Sequence, residues 1–108
     1  MVSNKEVIVA MNATLPNHYS LGSLGGRDGR GDVARAFGSV LRAARQEIGL
    51  SQEGLSERMG CDPTYPSLLE RGLRAPSLWT VLRCGEALNR VPERLVADTV
   101  ALLRKEGL

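Results

Sequence analysis

Apolar positions along this chain recur with helical spacing from Asp32 onward, after a first segment of different character. Val33, Phe37, Val40, Leu41, Ala44 and Ile48 follow one another at three or four residues, the period of one helix face. Asp32 is placed to cap this first helix and Gly49 to end it. Ser51 opens a second helix to about Met59, with Leu55 and Met59 inward and Gly60 as a left-handed stop. Asp62-Pro63 reads as an N-cap followed by proline at the first helical position, where its missing N–H would have had no partner anyway. That third helix runs to Arg71 and stops at Gly72. Ser77 caps a fourth helix whose Leu78, Val81, Leu82, Ala87 and Leu88 form an apolar stripe with Trp79 alongside. Pro92 opens a fifth, roughly 92–106, with more apolar surface than a terminal helix packed on one side needs. Leu95, Thr99, Val100 and Leu103 are its expected dimer interface.

The expected fold is therefore all-α, a five-helix bundle over 32–108. A flexible arm, 1–31, precedes it; Val7 to Met11 is its one strand-like run, and glycines recur at 22, 25, 26, 29 and 31. No strand leads into these glycines and no Lys-Ser/Thr follows them, so they do not make a phosphate loop. Two readings of the arm stand side by side: Arg27 and Arg30 reaching into a DNA minor groove, or a disordered tail or strand pairing across a dimer through Val7–Val9.

Composition narrows the function. At 108 residues the chain is one domain, too short to add an ordinary ligand-sensing domain to a binding module. Its net charge is only +2 and no block is strongly basic, so a nucleic-acid footprint must come from a few arginines gathered on one face. The aromatics are Tyr19, Phe37, Tyr65 and Trp79, which leaves an aliphatic core. Cys61 and Cys84 lie far apart with no metal-ligand spacing around them and read as reduced, structural thiols of a cytoplasmic protein. Neither a membrane span nor an export signal is expected. His18 is the sole histidine, and no nucleophile or paired carboxylate can be proposed around it. Enzyme activity, a cofactor and a metal are all unexpected.

Two short helices joined by a tight turn inside a bundle describe a helix-turn-helix. The run Arg45, Gly49-Leu50-Ser51-Gln52, Leu55-Ser56 and Met59-Gly60, then Glu70-Arg71-Gly72 and Pro76-Ser77-Leu78, resembles the XRE family of phage repressor and Cro-like regulators over about 36–96, with a lambda-repressor-like fold. DPTYPSLLERG is similar to the small controller proteins of restriction–modification systems. The resemblance implies a transcriptional regulator, acting as a homodimer that places its third helices in successive major grooves of a palindromic operator in double-stranded DNA. It implies a phosphate contact from Ser51 and Gln52, and an ion pair between Arg45 and Glu70 with Arg45 near the DNA backbone. Pro63, Thr64, Ser67 and Leu68 match positions that face base edges, with Tyr65 beside them as a reader or as a half-buried packing residue. Arg71 and Arg74 would supply backbone grip. Activation and repression are both open, as is contact with RNA polymerase.

Pro66 departs from the family pattern, standing on the core-facing anchor position of the third helix. Two outcomes are open: a distorted first turn in an otherwise normal helix, or a helix restarted at Pro66. An interior proline costs ~3 kcal/mol and one at the first position little. Packing of Leu69 favours the first outcome, and with it Tyr65 pushed from helical geometry by the proline that follows. Gly54, taken as an exposed position, weakens the second helix by ~1 kcal/mol. Two alternatives remain: an antitoxin whose arm binds a toxin protein, and a helical interaction module in which Pro66 has broken the reader.

Overall fold

In the computed structural model, which describes residues 29–106, five helices follow in order: α1 (Arg30–Glu47), α2 (Gln52–Met59), α3 (Tyr65–Glu70), α4 (Leu78–Ala87) and α5 (Pro92–Lys105). The described part is all-helical, as the periodicity predicts. The strand-like Val7–Met11, Arg27 and His18 lie outside the described residues.

α1 starts earlier than expected. Gly29, in left-handed geometry, precedes it, and Asp32 sits within the first turn rather than at the cap. There the carboxylate of Asp32 accepts from Arg35 at 3.1 Å, favourable at a helix N-terminus, where the orphan N–H groups carry partial positive charge. The same guanidinium donates to Glu106 at 2.9 Å, joining the start of α1 to the end of α5. At the other end Ile48 is exposed, not on the apolar face, because the helix stops at Glu47 and Ile48 leaves its register.

α1 packs against α3 and α5, α2 against α3 and α4, and α4 against α5. The core between them gathers Phe37, Leu41, Ala44, Leu55, Met59, Leu69, Cys84, Leu88 and Leu95, an aliphatic set with one aromatic ring. Gly38 makes the α1–α3 approach close enough. A Cβ there would collide with the Leu69 carbonyl and stand 2.8 Å from that of Glu70, so the C-terminal end of α3 rests on the backbone of α1. α3 ends by a left-handed turn at Gly72 (φ 71°), where Leu73 N–H reaches back to Leu68 O at 2.9 Å.

Two helices present different faces from those read in the sequence. On α4 the inward residues are Thr80, Val81, Cys84, Gly85 and Ala87, followed by Leu88, whereas Leu78 (73% exposed), Trp79 (57%) and Leu82 (50%) face solvent. On α5, Leu95, Thr99 and Leu103 are buried within the single chain, because α1 and α4 already cover that face. Thr99, Val100 and Leu103 also line an apolar groove with Val96, while Leu95 lies wholly within the core. Val96 is exposed and Val100 half-buried at the edge of the same helix. Gly54 is also not the open position expected, since a Cβ there would stand 2.7 Å from the Leu50 side chain.

Candidate nucleic-acid interface

The turn between α2 and α3 is built by backbone chemistry local to the sequence. Ser51 is extended (φ −76°, ψ 164°), and its Oγ accepts the Gly54 N–H at 2.9 Å, filling one of the orphan donors at the start of α2. At the far end Gly60 takes φ 68°, and its N–H closes onto Glu57 O, so the chain reverses without a side-chain penalty. Asp62 then accepts from both the Thr64 N–H (2.8 Å) and the Thr64 hydroxyl (2.6 Å). These two donors hold its carboxyl below the usual carboxylate range.

Pro66 is absorbed by this turn. The carbonyl that a residue with an N–H would bond from position 66 is that of Asp62, and here it accepts from Tyr65 N–H at 3.0 Å. Regular helix begins at Tyr65, with Thr64 as cap residue, so Asp62 caps the preceding turn rather than the helix and Pro63 is not the first helical position. Tyr65 stays in the helix despite the proline after it. The Pro66 ring is fully buried, as is Leu69 on the same helix.

What fixes α3 against the rest is an ion-pair network. Arg45 Nε donates to Glu70 Oε2 at 2.6 Å and Nη2 to Oε1 at 2.9 Å, while Nη1 donates to Leu50 O at 2.8 Å. Gln52 Nε2 adds a bond to Glu70 Oε1 at 3.1 Å. The Arg45 side chain is 11% exposed and that of Glu70 2%. One carboxylate therefore ties the middle of the domain together, binding α1, the start of α2 and the end of α3. The hydrogen bonds from Arg45 to Glu70 raise the guanidinium pKa further above its ordinary value. Removing one partner of such a pair strands the other charge, a loss of about 3–5 kcal/mol.

The expected site residues divide by where this frame leaves them. Thr64, Arg71 and Arg74 are exposed, and Ser67 and Leu68 half-buried on α3. Arg45 and Gln52 are engaged by Glu70, so little of Arg45 faces outward. Tyr65 turns inward: its ring packs on the core, and its hydroxyl meets Thr80 Oγ1 at 2.9 Å. Thr80 in turn shares a bond with the Ser77 hydroxyl at 3.0 Å, while Ser77 accepts the Thr80 N–H. This chain fastens the first turn of α3 to the cap of α4.

Three residues of the frame were not singled out in the sequence. Thr80 is one; its position three after the capping Ser77 is the signal that marks it. The others are Arg58, which donates to Ala87 O at 3.1 Å, and Arg83, which donates to Met59 O at 3.1 Å; both clip α2 to α4 through carbonyls at helix ends. Cys84 lies buried against Met59 (Sγ to Sδ 3.9 Å), and burial pushes its thiol up to about 12. Cys61 is partly exposed; desolvation also raises its thiol. Among the described residues no group of three His, Cys, Asp or Glu could hold a metal ion, and no helix is long and apolar enough to cross a membrane.

Residues 36–98 match the model of the helix-turn-helix domain family. An uncharacterized HTH-type transcriptional regulator of Sinorhizobium fredii, y4dJ, is 37% identical over 68 residues, 63% of this chain and 88% of that one. Among solved structures, the restriction-modification controller protein C.AhdI from Aeromonas hydrophila aligns with TM-score 0.56 and 40% identity, over 57% of this chain and 94% of its own. The clp gene regulator ClgR from Corynebacterium glutamicum shares the fold at TM-score 0.66 and 24% identity, over 69% of this chain and 80% of its own.

Proposed function

The chain belongs to the helix-turn-helix domain family, and on that premise we propose that it is a sequence-specific DNA-binding transcriptional regulator, working as a homodimer on a palindromic operator. The observation that carries this reading is the set of bonds converging on Glu70. It holds the end of α3 against α1 and α2 while leaving Arg71 and Arg74 exposed. A reading element needs that combination of a fixed backbone and free side chains. The relatives add weight, one an HTH-type transcriptional regulator and one a controller protein.

In this reading α3 enters the major groove. Leu68 touches a thymine methyl, Ser67 meets base edges, Thr64, whose hydroxyl donates to Asp62, offers them only an acceptor oxygen, and Arg71 and Arg74 hold phosphates. Ser51 and Gln52 lie at the N-terminus of α2, where backbone N–H groups favour a phosphate. With the Tyr65 hydroxyl occupied and no Asn, Gln or Arg at the base-facing positions, discrimination between bases is modest and backbone contacts supply most of the affinity. A module that merely dimerises is disfavoured because Pro66 leaves α3 formed.

Selection of bound duplexes from a random pool tests this reading. It expects enrichment of two-fold symmetric sequences with half-sites about one helical turn apart. A pool that stays unenriched while the protein is folded would overturn it.

A further inference from the structure

The outward side of α4 is apolar where a solvent-facing helix is ordinarily polar. Trp79, Leu82, Arg83 and Glu86 line a shallow hollow of about 190 Å³ on this side, and Leu78, one turn before Leu82, is exposed as well. Trp79, Leu82 and Glu86 lie on the arc opposite the buried Thr80, Val81, Cys84 and Leu88 and are exposed, with Arg83 at its edge donating to Met59 O. An exposed tryptophan flanked by two exposed leucines on one short helix is an unusual concentration of apolar surface.

Charge on the same face identifies the occupant. Arg83 and Glu86, one turn apart, pair at 2.7 Å within the chain. An antiparallel crossing of two such helices about a two-fold axis midway between them sets Arg83 of each copy against Glu86 of the other, with Leu82 near the axis. The face is then complementary to itself in both sign and polarity, as an isologous interface must be.

We propose that a second copy of this chain docks on the outward face of α4, through Trp79 and Leu82 flanked by reciprocal Arg83 to Glu86 pairs. This rests on the homodimer reading given above and offers a different surface for it from the Leu95, Thr99, Val100 and Leu103 expected from the sequence.

The test uses the full chain and two readouts. Trp79 is the chain's only tryptophan, so its emission reports this face alone. Sedimentation across a dilution series should show dimers, and emission should shift to the blue as they form. Arg83→Glu and Glu86→Arg should each weaken self-association on the order of tenfold, by placing like charges together twice in one interface. An equimolar mixture of the two variants should recover association, since each then meets the opposite sign. Circular dichroism verifies folding, needed because Arg83 also clips Met59. Dimerisation with unchanged tryptophan emission, or folded variants that fail to associate when mixed, would overturn the surface and leave the homodimer standing. A chain monomeric at every concentration would overturn both, leaving DNA binding to be judged on its own.

Discussion

α3 and α4 invert each other. On α3 and the turn before it, the side chains that look most available for reading a ligand are largely spent on the fold: Tyr65 on Thr80, the Thr64 hydroxyl on Asp62. On α4 the side chains that look like core face water: Leu78, Trp79 and Leu82. Residue type thus tells less about role than which backbone the helix rests on. α3 lies end-on against Gly38 of α1 and must hold position through polar bonds, whereas α4 buries a face of small and polar residues, Thr80, Cys84 and Gly85, and leaves its bulk outside.

The contrast can be broken most severely at Glu70. Glu70→Ala strands the Arg45 guanidinium in a site where its side chain is 11% exposed, and chemical denaturation should show a loss of about 3–5 kcal/mol. Arg45→Ala should cost a similar amount, and the double variant less than the sum of the two, since the charges share one network. Next comes Gly38→Ala, which forces a methyl group into the Leu69 carbonyl and should cost about 1–3 kcal/mol. If Gly38→Ala left stability unchanged, α3 would not rest on α1 as described.

Smaller effects sharpen the comparison. Tyr65→Phe removes the hydroxyl that meets Thr80, and should cost about 1 kcal/mol in stability while DNA affinity changes little. A large loss of affinity from that substitution would return Tyr65 to the reading face. The Asp62 carboxyl, held below its usual range by Thr64, is at the low end. Its folded pKa lies under the unfolded one, so its contribution is present above the unfolded pKa and fades as pH falls through the folded value. Asp62→Asn should remove that part of the acid dependence in a melting series. Smallest of all in free energy, but clear in rate, is thiol alkylation: Cys61 should react in the native protein, while Cys84, buried with its thiol at about 12, should react only on unfolding.

Much of this could be read in the chain because it is local chemistry. Ser51 and Ser77 cap α2 and α4 as their positions indicate, and Gly60 and Gly72 take the left-handed turns expected. What the sequence could not give was orientation. Leu78, Val81 and Leu82 form as good a stripe as Val81, Cys84 and Leu88, and only the approach of α2 and α5 decides between them. The same holds for α5, whose Leu95 is taken up by the core while Thr99, Val100 and Leu103 also line an apolar groove. Asp32 was misplaced because helix starts are soft when a glycine-rich segment precedes them; α1 simply extends back to Arg30. At Pro66 the difficulty was one of hydrogen-bond accounting, resolved by a tightened turn that gives the Asp62 carbonyl another donor.

The most direct test compares the natural chain with Pro66→Ile on the same DNA, drawn from the region upstream of its own coding sequence, with affinity measured across a salt series. If α2, the turn and α3 form a working reader with proline in place, the natural chain binds, its affinity falls steeply as salt rises, and Pro66→Ile binds within a few-fold of it. A natural chain that does not bind even at low salt, beside a Pro66→Ile variant that does, would contradict the reading.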